Sequence, residues 1–274
     1  SGASATEQTD AQFTKITGVE VLTTSANTIE LFGTIDSLAA AAGIDTVTFV
    51  STDDAVEEIT IGSGFSNDLT VNIAEDKEDV VATAFTKKLT IDMGSVGVAS
   101  TNDFTGGTGT DDVLKLTGTS HTISGVSAIE NYVASTNAAT TITLADANVT
   151  EGKSLHVDGS ALTSTVFTVD ASLEADGLNS ITGGGGDDVI TISASADGGD
   201  TITGGAGNDT FKFANGKLTK LDSIDGGAGT ADTLEFTTNA STIADEDFTL
   251  VSNVEVFTGS ANAQLTSLTL GAKA

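Results

Sequence analysis

The chain has no cysteine, no proline, no tryptophan and no arginine. Without cysteine there are neither disulfides nor thiolate metal sites. All ten basic residues are lysine, against 39 acidic residues, for a net charge of −29. A polyanion of this kind repels nucleic acid and anionic membrane surfaces, so neither is an expected partner. No run of about 20 apolar residues exists, so no helix is expected to span or insert into a membrane. No signal peptide is recognisable, and Ser1-Gly2 reads as a cloning remnant ahead of an excised piece of a longer protein.

Marks of catalysis are equally sparse. His121 and His156 are the only histidines, and no HExxH, GxSxG or paired-histidine metal spacing accompanies them. His156 lies in an alternating stretch and is expected to face solvent. The carboxylate pairs Asp53/Asp54, Glu57/Glu58 and Asp187/Asp188 are read as ordinary members of an acidic chain rather than acid–base couples. The tetraglycine at 183–186 is not a phosphate loop, because no Gly-Lys-Ser/Thr follows it. The chain reads as a non-enzyme.

Small polar residues and glycine dominate, a composition that by itself suits disorder. Against disorder stand Val, Ile, Leu and Phe residues at alternating positions, the pattern of half-buried strands. The most specific pattern is a nonapeptide, GGxGxDxUx, where U is a large apolar residue. Gly204–Lys212 (GGAGNDTFK) and Gly183–Thr191 (GGGGDDVIT) match at every fixed position. Glu174–Thr182, Ser195–Thr203 and Lys217–Asp225 are degenerate copies, the last with two lysines where glycines belong. Gly226–Leu234 carries one inserted residue before its aspartate. The six-residue start is a glycine-rich turn, and the three-residue end is a short strand with one inward apolar side chain.

The nonapeptides come in pairs that keep register. Asn179, Asp200 and Asp222 are 21 and 22 residues apart, and Asp188, Asp209 and Asp232 are 21 and 23 apart. One coil is therefore about 21 to 23 residues, with an acidic ladder on each side. In the inserted copy, the ladder position is open between Asp232 and Thr230 or Ala231. An isolated pair at 97–116 places Asn102 in the same slot and then leaves Asp111 or Asp112 as its aspartate.

These residues resemble the RTX repeats of secreted bacterial proteins. The resemblance covers about 174–236, with the isolated pair at 97–116. It implies a calcium-binding β-roll holding several ions between stacked turns. The side-chain ligands it implies are Asp188, Asp209, Asp200, Asp222 and Asp232, with Asn179, Asp187, Asn208 and Asp111 or Asp112 as further candidates. The carbonyl donors it implies are at Gly183, Gly185, Gly204, Ala206, Gly226 and Ala228. Some five ions would offset about ten charges.

A longer repeat frames the nonapeptides. Phe13–Leu22 (FTKITGVEVL) reads like Phe248–Phe257 (FTLVSNVEVF), and Ile123–Tyr132 (ISGVSAIENY) lies between them, at offsets of 110 and 125 residues. Long tandem repeats mark solenoids and arrays rather than enzymes. Strands are expected at Thr28–Leu31, Thr46–Val50, Glu58–Ile61, Leu69–Ile73, Lys88–Met93, Val113–Leu116, Thr140–Leu144, Ser154–Val157, Val166–Val169 and Leu234–Phe236. Ile35–Ala42 and Ala74–Phe85 are the two candidate short helices. The expected fold is an all-β, right-handed parallel β-solenoid or β-roll with calcium-binding glycine-rich turns and little helix. A β-rich segment over 1–105 would precede a solenoid over 106–274, with a β-sandwich as rival architecture for the first part.

Acidic, cysteine-free chains mixing GGxGTxD turns with Val-Glu segments resemble surface-layer proteins of the RTX group. That resemblance implies a calcium-dependent lattice of like subunits on the outer cell surface, exported by a type I route. It allows contact with a cell-surface polysaccharide through a part of the protein outside this stretch. The alternatives are the repeat region of a large secreted adhesin and the calcium-binding C-terminal part of an exported hydrolase.

Overall fold

The computed structural model describes residues 21–24, 28–31 and 46–49. Between 57 and 259 it describes all residues except 64, 66, 74–77, 99–101, 119, 150, 176, 193–198, 215 and 239–242. The fold is a parallel β-solenoid of about eight turns with almost no helix. Two compact units divide the chain, Ser1–Thr117 with Gly125–Tyr132, and Gly118–Ser124 with Val133–Ala274.

The first unit has two parallel sheets. One runs through β1 (Val21–Thr24), β3 (Thr46–Phe49), β5 (Leu69–Ile73), β7 (Leu89–Asp92) and β9 (Val113–Leu116). The other runs through β2 (Thr28–Leu31), β4 (Glu57–Ile61), β6 (Glu78–Val81), β8 (Phe104–Thr105) and β11 (Val126–Ser127). Alternation creates the core: β5 and β7 bury every second residue. Val71, Ile91 and Leu114 therefore stack on one side, and Ile59, Val80, Phe104 and Val126 on the other. Burying each such side chain is worth about 1.5–3 kcal/mol. Phe65 and Phe85 meet edge to face, 6.1 Å between centroids.

The described strand pairings of the first unit are parallel, whereas a β-sandwich is built from antiparallel ones. The described part of Ala74–Phe85, residues 78–85, contains β6 and not a helix. Its acids looked like a helix N-terminal turn, but Glu78 and Val80 point inward with period two and pair in register with β4. The other candidate helix, Ile35–Ala42, lies outside the described residues.

The second unit repeats the design. β10 (Ser120–Ile123), β13 (Thr140–Leu144), β15 (Phe167–Asp170), β17 (Val189–Thr191), β19 (Thr210–Phe213), β21 (Thr233–Phe236) and β23 (Val256–Gly259) form one parallel sheet. β14 (Ser154–Asp158), β16 (Leu178–Thr182), β18 (Thr201–Ala206), β20 (Ser223–Ala228) and β22 (Val251–Ser252) form the other, while β12 (Asn131–Ala134) straddles the division between units. Val169, Ile190, Phe211, Leu234 and Phe257 share one register column, as do Val157, Ile181, Ile202, Ile224 and Val251. Phe236 stands between Phe213 and Phe257, at 6.1 and 5.0 Å. Short 3-10 turns at Asp146–Asn148 and Asp245–Phe248 are the helical elements among the described residues. His156 is exposed on β14, as the sequence suggests, while His121 is buried in β10.

Candidate metal centre

The register that stacks the core also stacks the acids. On the side entering β17, β19, β21 and β23, successive coils present Asp188, Asp209, Asp232 and Glu255. Each gives one carboxylate oxygen to the backbone of the coil before it. The Phe167 N–H donates to Asp188 Oδ1 (2.7 Å), and the Asp188 N–H to Asp209 Oδ1 (2.8 Å). The Asp209 N–H donates to Asp232 Oδ1 (2.7 Å), and the Asp232 N–H to Glu255 Oε2 (3.0 Å). The second ladder enters β16, β18 and β20. There the Asn179 N–H donates to Asp200 Oδ1 (2.9 Å) and the Asp200 N–H to Asp222 Oδ1 (3.0 Å). Short acidic side chains suit this role because they reach backbone donors close to their own Cα.

What each second oxygen does separates the rungs. Asp188 Oδ2 accepts the Gly184 N–H (2.5 Å). Asp222 Oδ2 accepts the Thr219 N–H (2.7 Å), so the lysine-bearing loop at 217–222 closes over its own carboxylate. Asp209 Oδ2, Asp232 Oδ2 and Asn179 Oδ1 are shielded from solvent and have no hydrogen-bond partner. Asp209 is 1% exposed and Asp232 0%. A buried anionic oxygen without a partner costs several kcal/mol or draws in a compensating cation.

Glycines line the surroundings of those two oxygens. A Cβ on Gly204 would lie under 3.0 Å from both Asp209 Oδ2 and the Gly226 carbonyl oxygen. A Cβ on Gly229 would lie under 3.0 Å from both Asp232 oxygens and from the Gly207 carbonyl oxygen. A Cβ on Gly226 would overlap the Asn253 carbonyl and the Asp232 Cβ. Carboxylate and carbonyl oxygens therefore converge where glycine alone leaves room. Mixed carboxylate and carbonyl oxygens are the donor type that calcium takes, whereas soft transition metals take sulfur and imidazole. Among the described residues, no three His, Asp or Glu side chains converge on one point. The converging set is one carboxylate with backbone carbonyls.

Burial pushes the Asp209 carboxyl up to about 7, and repulsion from Asp188, Asp232 and Asp187 adds to the rise against the hydrogen bond from the Asp188 N–H. Burial also raises Asp188 and Asp112, each held down in part by two backbone N–H donors.

Burial separates the residues that the sequence left as alternatives. Asp232 is the buried rung, not Thr230 or Ala231. Asp112 is buried and Asp111 exposed. Asp187 and Asn208 form a separate exposed column, in which the Asn208 N–H donates to Asp187 Oδ1 (2.7 Å) and the Thr230 N–H to Asn208 Oδ1 (3.1 Å). Ala206 and Ala228 pair in strand register on exposed positions, and the Ala228 carbonyl accepts the Gly207 N–H (3.0 Å). Gly185 packs against Thr163, while Gly183 sits against Asp188 Oδ2 and the Gly204 carbonyl.

Four participants escaped the sequence reading: Ala128, Glu130, Asn253 and Glu255. Ala128 and Asn253 are the two non-glycine residues with left-handed φ among those described, at 53° and 52°. The Ala128 carbonyl faces Gly106 as the Asn253 carbonyl faces Gly226. Glu130 Oε2 accepts the Asp112 N–H (3.0 Å) as Glu255 Oε2 accepts that of Asp232. The available signal was the shared Ala-Ile-Glu and Asn-Val-Glu spelling. Gly18-Val19-Glu20, the third copy, lies outside the described residues.

The cradle at Gly204 makes a direct prediction. Gly204→Ala fills it and is expected to lower the melting temperature in calcium by several degrees and remove one bound ion. Gly216→Ala, at a φ of +72° with open space around it, should cost only about 1 kcal/mol and leave the ion count unchanged. Melting curves and native mass spectrometry of both variants check this, and equal behaviour would refute the cradle. No family model matches the chain, and neither a curated protein nor a solved structure matches it.

Proposed function

We propose that this chain is a non-catalytic structural protein of the bacterial cell exterior, a calcium-dependent subunit that assembles with its own copies into a surface lattice. The observation that carries the reading is the pair of orphaned, solvent-shielded oxygens of Asp209 and Asp232, each meeting a backbone carbonyl beside a glycine. Asp209 with the Gly226 carbonyl, and Asp232 with the Gly207 and Asn253 carbonyls, would hold the ions. A bound divalent cation supplies charge compensation and ties successive coils together. Calcium is millimolar outside cells and submicromolar inside, so the repelling ladders would stay unfolded during export and close afterwards.

Assembly is supported by the outward face of the sheet from β10 to β23. One register column reads Ser120, Thr141, Thr168, Val189, Thr210, Thr233, Val256, and all seven are uncharged. The next column carries Asp170, Lys212 and Glu235 among threonines. On a chain of net charge −29, this is a face where two copies meet little repulsion. Electron microscopy of the purified chain in millimolar calcium tests the reading. Ordered two-dimensional sheets that dissolve in EGTA are expected. Isolated rods at every concentration would replace the lattice with the spacer of a large adhesin.

A further inference from the structure

We infer that Glu255, with the Asn253 carbonyl two residues before it, is the closing rung of the first ladder and completes a cation site on Asp232 that the nonapeptide alone leaves half built. This rests on the calcium reading above and adds a residue outside the glycine–aspartate repeat. Within the repeat, each aspartate is fixed by the next coil's aspartate, which accepts its N–H. Asp232 has no nonapeptide after it. Glu255 takes that place, 23 residues on, and its Oε2 accepts the Asp232 N–H at 3.0 Å. The Asp232 carbonyl in turn accepts the N–H groups of Glu255 (3.0 Å) and Val256 (2.8 Å), so the two coils are latched in both directions.

The left-handed φ of Asn253 turns its carbonyl toward Gly226, the position that the Gly226 carbonyl itself occupies over Gly204 one coil earlier. The Asp232 Cβ stands against the same Gly226, and Asp232 Oδ2 is fully buried and without a hydrogen-bond partner. The unit containing Asp112 repeats the device: Glu130 accepts the Asp112 N–H, and Ala128, again left-handed, aims its carbonyl at Gly106. Two occurrences of one geometry, with different spacing between aspartate and glutamate, mark the Ala/Asn-Ile/Val-Glu segment as a ladder terminator. Glu255 is thus a positioning residue: it orients Asp232 through the backbone rather than by touching the ion.

The test titrates the full chain with calcium by isothermal calorimetry and counts ions by native mass spectrometry. Loss of an orienting partner typically weakens metal binding 10–100-fold. Glu255→Ala should therefore weaken one calcium site by about that factor and leave the remaining ions in place. Asp232→Asn should abolish the same site. Glu255→Gln retains an oxygen acceptor for the Asp232 N–H and should hold affinity within about threefold of the parent. Parent-like binding by Glu255→Ala beside a loss in Asp232→Asn would overturn the terminator and leave the calcium reading standing. A tenfold loss in Glu255→Gln would overturn the positioning role, because the charge itself would then reach the ion. A parent chain that binds no calcium would remove the calcium reading itself.

Discussion

Transfer of the chain into EGTA at pH 8 is expected to lower the melting temperature of the coils from β16 to β22 sharply, and millimolar calcium to restore it. Each ion held at about one hundred times its dissociation constant stabilises the fold by about 2.7 kcal/mol. The two cradles at Asp209 and Asp232 together then contribute about 5 kcal/mol, comparable with the whole stability of an ordinary domain. Hydrogen exchange should locate the loss at the amides of Asp188, Asp209 and Asp232, whose acceptors are the ladder carboxylates. The apolar stack of the first unit, including Ile59, Val80 and Phe104, is expected to keep its protection longer. Magnesium should substitute poorly, since it demands a tighter octahedron and keeps its waters. Equal β content and equal melting temperature with calcium and with EGTA would sink the calcium reading.

The parts of this arrangement that were legible in the sequence are those where one residue type has one use. Glycine repeated beside aspartate at a 21-residue step has few explanations other than stacked turns. Leu69–Ile73, Val113–Leu116 and Thr140–Leu144 were readable to the residue as strands because their apolar positions alternate without interruption. From β3 onward the sheet pairings of the first unit, β4 with β6 and later included, keep a similar coil of 20 to 24 residues between register partners, yet few glycines announce its turns. Its buried acids are Glu78 and Asp112, and in so acidic a chain a buried glutamate is spelled like an exposed one. The same ambiguity hid Glu130 and Glu255. The left-handed turns before them were hidden by Ala128, a residue with no preference for that conformation, and only hinted at by Asn253. Pairing of chain segments, not local composition, assigned these roles.

Replacing the charge at the centre of the ladder should change stability in opposite directions with and without calcium. In the folded, metal-free chain, burial lifts the Asp209 carboxyl from an ordinary 3.8 to about 7. The folded state therefore binds a proton that the unfolded state releases. This contribution to stability is fully present below pH 3.8 and is lost as pH rises through about 7. At pH 8 the buried, ionised carboxylate costs on the order of 2–4 kcal/mol, since each tenfold change in proton affinity is worth about 1.4 kcal/mol. Asp209→Asn keeps an oxygen for the Asp188 N–H and removes the charge. In EGTA it should raise the melting temperature at pH 8 by on the order of 5–10 °C and flatten the dependence on pH. In calcium the same substitution discards a ligand, so it should lose one ion and melt lower than the parent. His121 supplies an internal contrast, because its burial lowers the imidazole from 6.5 to about 4. Its contribution is present above pH 6.5 and is lost as pH falls through about 4, against the direction of Asp209. The metal-free parent should accordingly be most stable between these limits, near pH 5, and calcium should move the optimum to neutral pH and above. Thermal melts of parent and Asp209→Asn from pH 4.5 to 8, each with calcium and with EGTA, read out both signs. Destabilisation by Asp209→Asn under all four extremes would mean that the carboxylate is held by partners other than a cation, and that the ladder is a hydrogen-bonded spine rather than an ion site.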